Sequence, residues 1–148
     1  MTRIEARVRI ERPVDEVFAY VSEPVNLPRW NSAVTAVRLA SSGDEEGVGS
    51  TYVMQRELPI GRARNELEIV ARERPVRFAI RTTSGPTPFA FDFELTPDGD
   101  ATLIRLRAEA ELEGVAELLG PLARFAFRRG VHDNLSALEA ILAAPDRR

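Results

Sequence analysis

From residue 3 to residue 112 the chain alternates apolar and polar side chains, stretch after stretch, and from Gly114 onward the period becomes helical. That change of period limits the fold more than any other feature. A period of two sends successive side chains to opposite faces of a strand, so each stretch carries one apolar face that has to be covered. The opening stretch puts Ile4, Ala6, Val8 and Ile10 on one face and Arg3, Glu5, Arg7 and Arg9 on the other. Further strands are expected over 33–39, 51–58, 62–72, 76–82, 89–95 and 102–112. Pro97-Asp98-Gly99-Asp100 reads as a tight hairpin turn. Strands that succeed one another through short turns build an antiparallel sheet.

Two segments break the alternation. After Arg12, a proline at a first helical position (Pro13) and acids in the first turn (Asp15, Glu16) signal a helix start. Val14, Val17, Phe18 and Val21 supply its apolar stripe, and Pro24 and Pro28 limit the next segment to short helical turns. The C-terminal segment 115–143 is rich in Ala and Leu, with Gly120-Pro121 and Gly130 interrupting it. A short helix and then a long one over about 121–143 are expected. Leu118, Leu122, Phe125 and Ala126 form one stripe, and Val131, Leu135, Leu138 and Leu142 another, rotated from the first on an ideal helix. Either the helix bends near Gly130, or its first half faces a cavity while its second half clamps the sheet.

The expected architecture is therefore α+β. A curved antiparallel sheet of about seven strands wraps around a long C-terminal helix, a helix-grip arrangement, with two short helices after the first strand. The 148 residues fit one domain, 1–148. A sheet curled around one helix leaves concave apolar space, the usual setting of a ligand site.

Composition removes several chemistries. There is no cysteine, which excludes thiol nucleophiles and thiolate metal sites. All 20 basic residues are arginine, so no lysine is present for Schiff-base catalysis. Codon bias in a GC-rich bacterial genome is the plain reading of that preference. A net charge of -3 argues against nucleic acid as a partner. No apolar run approaches the ~20 residues of a membrane span, and no signal peptide is visible, so a cytoplasmic protein is the default. His132 is the single histidine, too little for a zinc site, and its position flanking the helix reads as solvated. No phosphate loop and no carboxylate pair for glycoside chemistry stands out. No cofactor is expected.

What remains is an apolar pocket. Phe78, Phe89, Phe91 and Phe125, with Tyr52, Met54, Leu118 and Leu122, are the candidate lining, each with plain core packing as the alternative. Trp30 either walls the pocket mouth or packs the short helices onto the sheet. Asn65, Thr82 and Thr102 sit on otherwise apolar faces. A buried amide needs partners, which makes Asn65 the best polar anchor for a ligand. Arg56 shares the Tyr52/Met54 face and is read either as a partner for a ligand carboxylate or as an exposed strand end.

The chain also resembles the START-like superfamily, often called SRPBCC. The likeness covers essentially the whole chain. It is carried by the opening strand running into Ile10-Glu11-Arg12-Pro13-Val14-Asp15-Glu16-Val17-Phe18-Ala19-Tyr20-Val21, by Pro24 with Asn26-Leu27-Pro28-Arg29-Trp30, by Gly47-Val48-Gly49-Ser50 before the third strand, and by Asn134-Leu135-Ser136-Ala137-Leu138-Glu139. The resemblance implies the helix-grip fold, and it implies a family that includes plant pollen allergens, lipid-transfer domains and polyketide cyclase/dehydrase-like proteins. A shared fold does not transfer a reaction. Three functions are compatible as expectations. The first is binding, transport or sequestration of a small hydrophobic molecule such as a lipid, polyketide or aromatic metabolite. The second is a cyclase/dehydrase-type enzyme in the same cavity. The third is a pocketless interaction or stress-response domain. A homodimer through an exposed strand or helix is compatible with the pattern.

Overall fold

The computed structural model describes residues 2–57, 61–112 and 120–143. Seven strands form one antiparallel sheet: β1 (Thr2–Ile10), β2 (Val34–Ser41), β3 (Thr51–Glu57), β4 (Arg62–Glu73), β5 (Arg77–Ser84), β6 (Phe89–Asp98) and β7 (Ala101–Ala110). Their spatial order is β1-β7-β6-β5-β4-β3-β2. Every consecutive pair from β2 to β7 is therefore a neighbouring pair, and β1 closes the far edge beside β7. The β6–β7 hairpin turns on two residues, with Asp98 paired to Ala101 and Gly99 at φ +63 supplying the left-handed conformation.

The connection from β1 to β2 spans the sheet from one edge to the other. It consists of α1 (Val14–Val21), a 3₁₀ turn (Pro24–Asn26) and α2 (Leu27–Trp30). Pro13 is the N-cap of α1 rather than its first helical residue, and Val17, Phe18 and Val21 are its buried stripe. Thr102, fully buried on an apolar row of β7, donates its hydroxyl to the Arg12 carbonyl at 2.8 Å. That bond satisfies the polar exception in the strand and ties β7 to the start of α1.

The sheet curls. Extra residues interrupt the register at Thr35 and Ala40 in β2, at Val70 in β4 and at Thr83 in β5. Each such bulge bends its strand and increases the local twist. The concave face holds the core, where Phe18, Phe78, Phe93, Met54, Leu67 and Leu138 are among the fully buried side chains. Phe78 and Phe93 stack with ring centroids 6.0 Å apart, and Trp30 meets Phe93 edge-on at 6.1 Å.

The long C-terminal helix, α3 (Leu122–Ala143), packs along β1 and against α2. It is one continuous element of 22 residues with no break at Gly130. Val131, Leu135, Leu138 and Leu142 are buried as expected. The expected first stripe is displaced, because Leu122 and Phe125 point outward at 62% and 59% exposure. Ala123 is buried and Phe127 is partly buried against the core instead. The cause is phase. Ala123 and Phe127 precede Val131 at four-residue steps, so they share its face, whereas Leu122 and Phe125 do not. Hydrophobicity alone selected Leu122 and Phe125, and helical phase selected Ala123 and Phe127. Leu118 and the expected short helix lie outside the described residues.

Burial assigns unequal weight to these leucines. Leu138→Ala is expected to cost about 2–5 kcal/mol by leaving a core cavity, and Leu122→Ser to stay within about 0.5 kcal/mol of the parent. Urea denaturation followed by circular dichroism measures both.

Candidate functional site

The cavity arises from side-chain size along α3. Its lower half presents Leu135, Leu138 and Leu142 and fills the space beneath it. Its upper half presents Ala123, Ala126 and Gly130, and here a cavity of about 240 Å³ opens between the helix and the rim of the sheet. A Cβ built on Gly130 would meet nothing within 4 Å, so that stretch of the wall stands clear of its neighbours. Met54 from β3, Phe89 and Phe91 from β6, and Phe127 and Val131 from α3 supply the apolar lining. Asn31, Arg56, Glu57 and Asn134 supply the polar part.

A larger depression of about 580 Å³ lies on the opposite face of the sheet. It is walled largely by charged side chains that pair with one another. Arg77–Asp92 is 2.9 Å apart, Arg81–Glu68 3.2 Å and Arg3–Glu109 3.3 Å. Its charged half is a solvated ion-pair lattice, which lies beside apolar Val70, Ala79 and Ala90. The smaller cavity, apolar with a few convergent polar groups, has the character of a ligand site.

The most structured part of that site is its polar end. Strand alternation turns Tyr52, Met54 and Arg56 inward together, and their partners across the ladder are Leu67, Asn65 and Ala63. Asn65 is fully buried. Its amide donates to the Ser84 carbonyl at 3.0 Å and to the Pro86 carbonyl at 2.9 Å. Its Oδ1 accepts from Arg56 Nε at 2.8 Å. Arg56 Nη2 donates to the carbonyls of Pro86 at 2.8 Å and Thr87 at 2.6 Å, and the guanidinium carbon sits 5.1 Å from the centre of the Phe89 ring. Burial lowers the affinity of the Arg56 guanidinium for its proton relative to its ordinary value.

The β5–β6 loop is built to close over this pair. Gly85 adopts φ +99, and a Cβ there would lie 2.5 Å from the Arg64 carbonyl oxygen and 2.6 Å from Asn65 Nδ2. Only glycine admits that approach. Thr87, a β-branched residue, is held at φ 52, a strained conformation that persists where surrounding bonds over-determine it. Arg56 and Asn65 supply those bonds. Thr82 caps the same hairpin, its hydroxyl accepting from the Phe89 N–H at 3.1 Å.

The expected site residues divide accordingly. Met54, Phe89 and Phe91 are brought together around the cavity, and Arg56, half-buried rather than an exposed strand end, joins them. Trp30, Tyr52 and Phe78 are buried in the core, with burial raising the Tyr52 phenol above its ordinary pKa. The Trp30 indole N–H is buried with no hydrogen-bond partner among the described residues. Asn65 does not line the cavity; both its amide hydrogens are committed to the loop and its Oδ1 faces Arg56, so its part is to position Arg56. Leu122 and Phe125 face outward, away from the expected lining, and His132 is exposed on the helix flank. Asn31, Thr87, Phe127 and Asn134 come from loops and helix phases that strand periodicity does not address. The four-residue spacing of Ala123, Phe127 and Val131 is the sequence signal that marks Phe127.

Among the described residues no cluster of His, Cys, Asp and Glu is arranged to hold a metal ion, and no helix is long and apolar enough to cross a membrane.

A family model described as polyketide cyclase / dehydrase and lipid transport matches residues 1–143. Among solved structures, a START superfamily protein from Mycobacterium smegmatis superposes with a TM-score of 0.78 at 16% identity, over 95% of this chain and 96% of that one. The ginseng major latex-like protein 151 from Panax ginseng gives 0.70 at 14% identity, over 97% and 98%. The di-domain ARO/CYC BexL from the BE-7585A biosynthetic pathway gives 0.67 at 17% identity, over 95% of this chain and 46% of that one. At these identities the likeness is one of fold. No curated protein matches the chain in sequence.

The Asn65 network makes a distinct prediction. Asn65→Leu keeps the number of side-chain heavy atoms but removes the donors to the Ser84 and Pro86 carbonyls and leaves the Arg56 Nε–H without its acceptor, and is expected to cost about 1–3 kcal/mol. Thermal and urea unfolding measure the loss, and faster amide exchange at Thr87 and Phe89 would localise it to the β5–β6 loop.

Proposed function

The chain belongs to the polyketide cyclase / dehydrase and lipid transport family, and on that premise we propose that it binds a small apolar molecule in the cavity between its sheet and α3. The observation that carries this reading is the cavity itself, walled by Met54, Phe89, Phe91, Phe127 and Val131 and left open by Ala123, Ala126 and Gly130. Apolar walls with a few polar groups at one end favour partition of an apolar body and fix its direction of entry. At about 240 Å³ the space is a little below the ~300–1,000 Å³ of drug-sized sites, which suits a single ring system or a medium-length chain. An interaction domain without a pocket has no use for a glycine and two alanines facing an unfilled space. Residues 1–148 act in this reading as one ligand-binding domain.

A second reading, a cyclase/dehydrase-type enzyme, is favoured by the placement of Arg56. A guanidinium at the end of an apolar cavity can hold a developing enolate oxygen. Liquid chromatography with mass detection of a poly-β-ketone probe, read against a protein-free control, separates the two readings: a binder adds no product to the control, and an enzyme yields more of a product lighter by one water or of a cyclised isomer that elutes apart.

The binding reading predicts that native mass spectrometry of freshly purified protein shows a non-covalent adduct that disappears on denaturation. Gly130→Leu fills the open stretch of the helix wall, and is expected to abolish the adduct while leaving the fold intact, because leucine is also a better helix former than glycine by roughly 0.5–1 kcal/mol. A bare chain mass, together with no rise in melting temperature across a panel of fatty acids and polycyclic aromatics, would sink the binding reading.

A further inference from the structure

We infer that Arg56 is the seat of an anionic head group, and that the molecule taken up in the cavity is a small amphipathic carboxylate rather than a neutral apolar compound. The inference deepens the binding reading above and rests on it.

Three observations carry it. The first is charge. Arg56 is half-buried at the end of an apolar cavity and has no carboxylate within salt-bridge distance among the described residues. By contrast, Arg3, Arg77, Arg81 and Arg105 on the outer face of the sheet each have one. The three described acceptors of Arg56 are an amide oxygen and two backbone carbonyls. Neutral acceptors satisfy hydrogen bonds without cancelling the net charge, so a partly desolvated cation remains. Glu57, next along β3, also reaches the cavity rim, but its carboxylate pairs with Arg62 at 3.5 Å and forms no described ion pair with Arg56.

The second observation is unused capacity. A guanidinium has five N–H donors. Nε and Nη2 are engaged by Asn65 and by the Pro86 and Thr87 carbonyls, while the two donors of Nη1 have no described partner. Nη1 is thus the group left for an oxyanion.

The third is rigidity. Asn65 has both amide hydrogens committed, which fixes Oδ1 against Arg56 Nε, and the Phe89 ring packs on the guanidinium. A cation held this way loses little further freedom when an anion arrives. A simple pin for the β5–β6 loop would need only the Nε and Nη2 bonds, and would place no requirement on the cavity beside it. The carboxylate end would meet Nη1, and the apolar body would lie along Phe89, Phe91 and Met54.

Titration calorimetry on the full chain tests this with matched probes: octanoate against octan-1-ol, and 2-naphthoate against 2-naphthalenemethanol. The carboxylate is expected to bind at least tenfold tighter than its alcohol in at least one pair. In Arg56→Met that preference is expected to vanish, acid and alcohol binding with equal affinity. Acid and alcohol binding equally in the parent protein overturns the anion seat and leaves the binding reading standing. A preference that survives in Arg56→Met also overturns it. No binding by any probe overturns both. The parent comparison needs no variant, so the inference remains open to refutation even if Arg56→Met fails to fold.

Discussion

Only one face of the sheet is apolar, and one helix has to cover most of it. Seven strands at roughly 4.8 Å spacing would span about 29 Å if flat, against a helix about 10 Å across. Curvature is therefore a condition of burial. The bulges in β2, β4 and β5 bend the strands, and the sheet wraps far enough for α1 and α2 to bridge its edges and for α3 to lie along β1. The core, the cavity and the pairing of the outer charges all depend on that wrap.

Where the helix carries leucine, the wrap closes on it and the interior is filled. Where it carries Ala123, Ala126 and Gly130, closure is incomplete and a cavity remains. Its position is set by side-chain volume along one helix face rather than by any special ligand motif. The polar end is set by a different device. A buried asparagine, a glycine at positive φ and a strained threonine bring the β5–β6 loop down onto Arg56. Strain of this sort is retained where the surrounding bonds over-determine it, and it holds a cation at the mouth of an apolar space.

Strand periodicity locates every strand and gives the apolar rows of β4 and β6, including Phe89 and Phe91, because a period of two is local; in β3 it groups Tyr52 and Met54 on one face and Val53 and Gln55 on the other, and leaves open which of the two points inward. Arg56 shares the Tyr52/Met54 row, yet periodicity alone is equally consistent with a strand end. Its half-burial depends on a loop 30 residues away, and no local pattern encodes that contact. Asn65 stands out in sequence as a polar group in need of partners. Those partners are protein carbonyls and a guanidinium, supplied by the folding of the β5–β6 loop over it. Leu122 and Phe125 mislead because hydrophobicity on a helix is informative only with its phase, and the phase is fixed by Val131 onward.

The sequence by itself determined the α+β class, the antiparallel order of strands, the covering helix and the absence of thiol and lysine chemistry, since each is dictated by residue type or by spacing within about ten residues. Tertiary structure alone decided which face of α3 is buried, that a cavity survives beneath its first half, and that Arg56 enters that cavity without an acidic partner among the described residues. Those outcomes depend on how far a sheet curls and on where a distant loop lands, and both are settled by contacts between segments far apart in the chain.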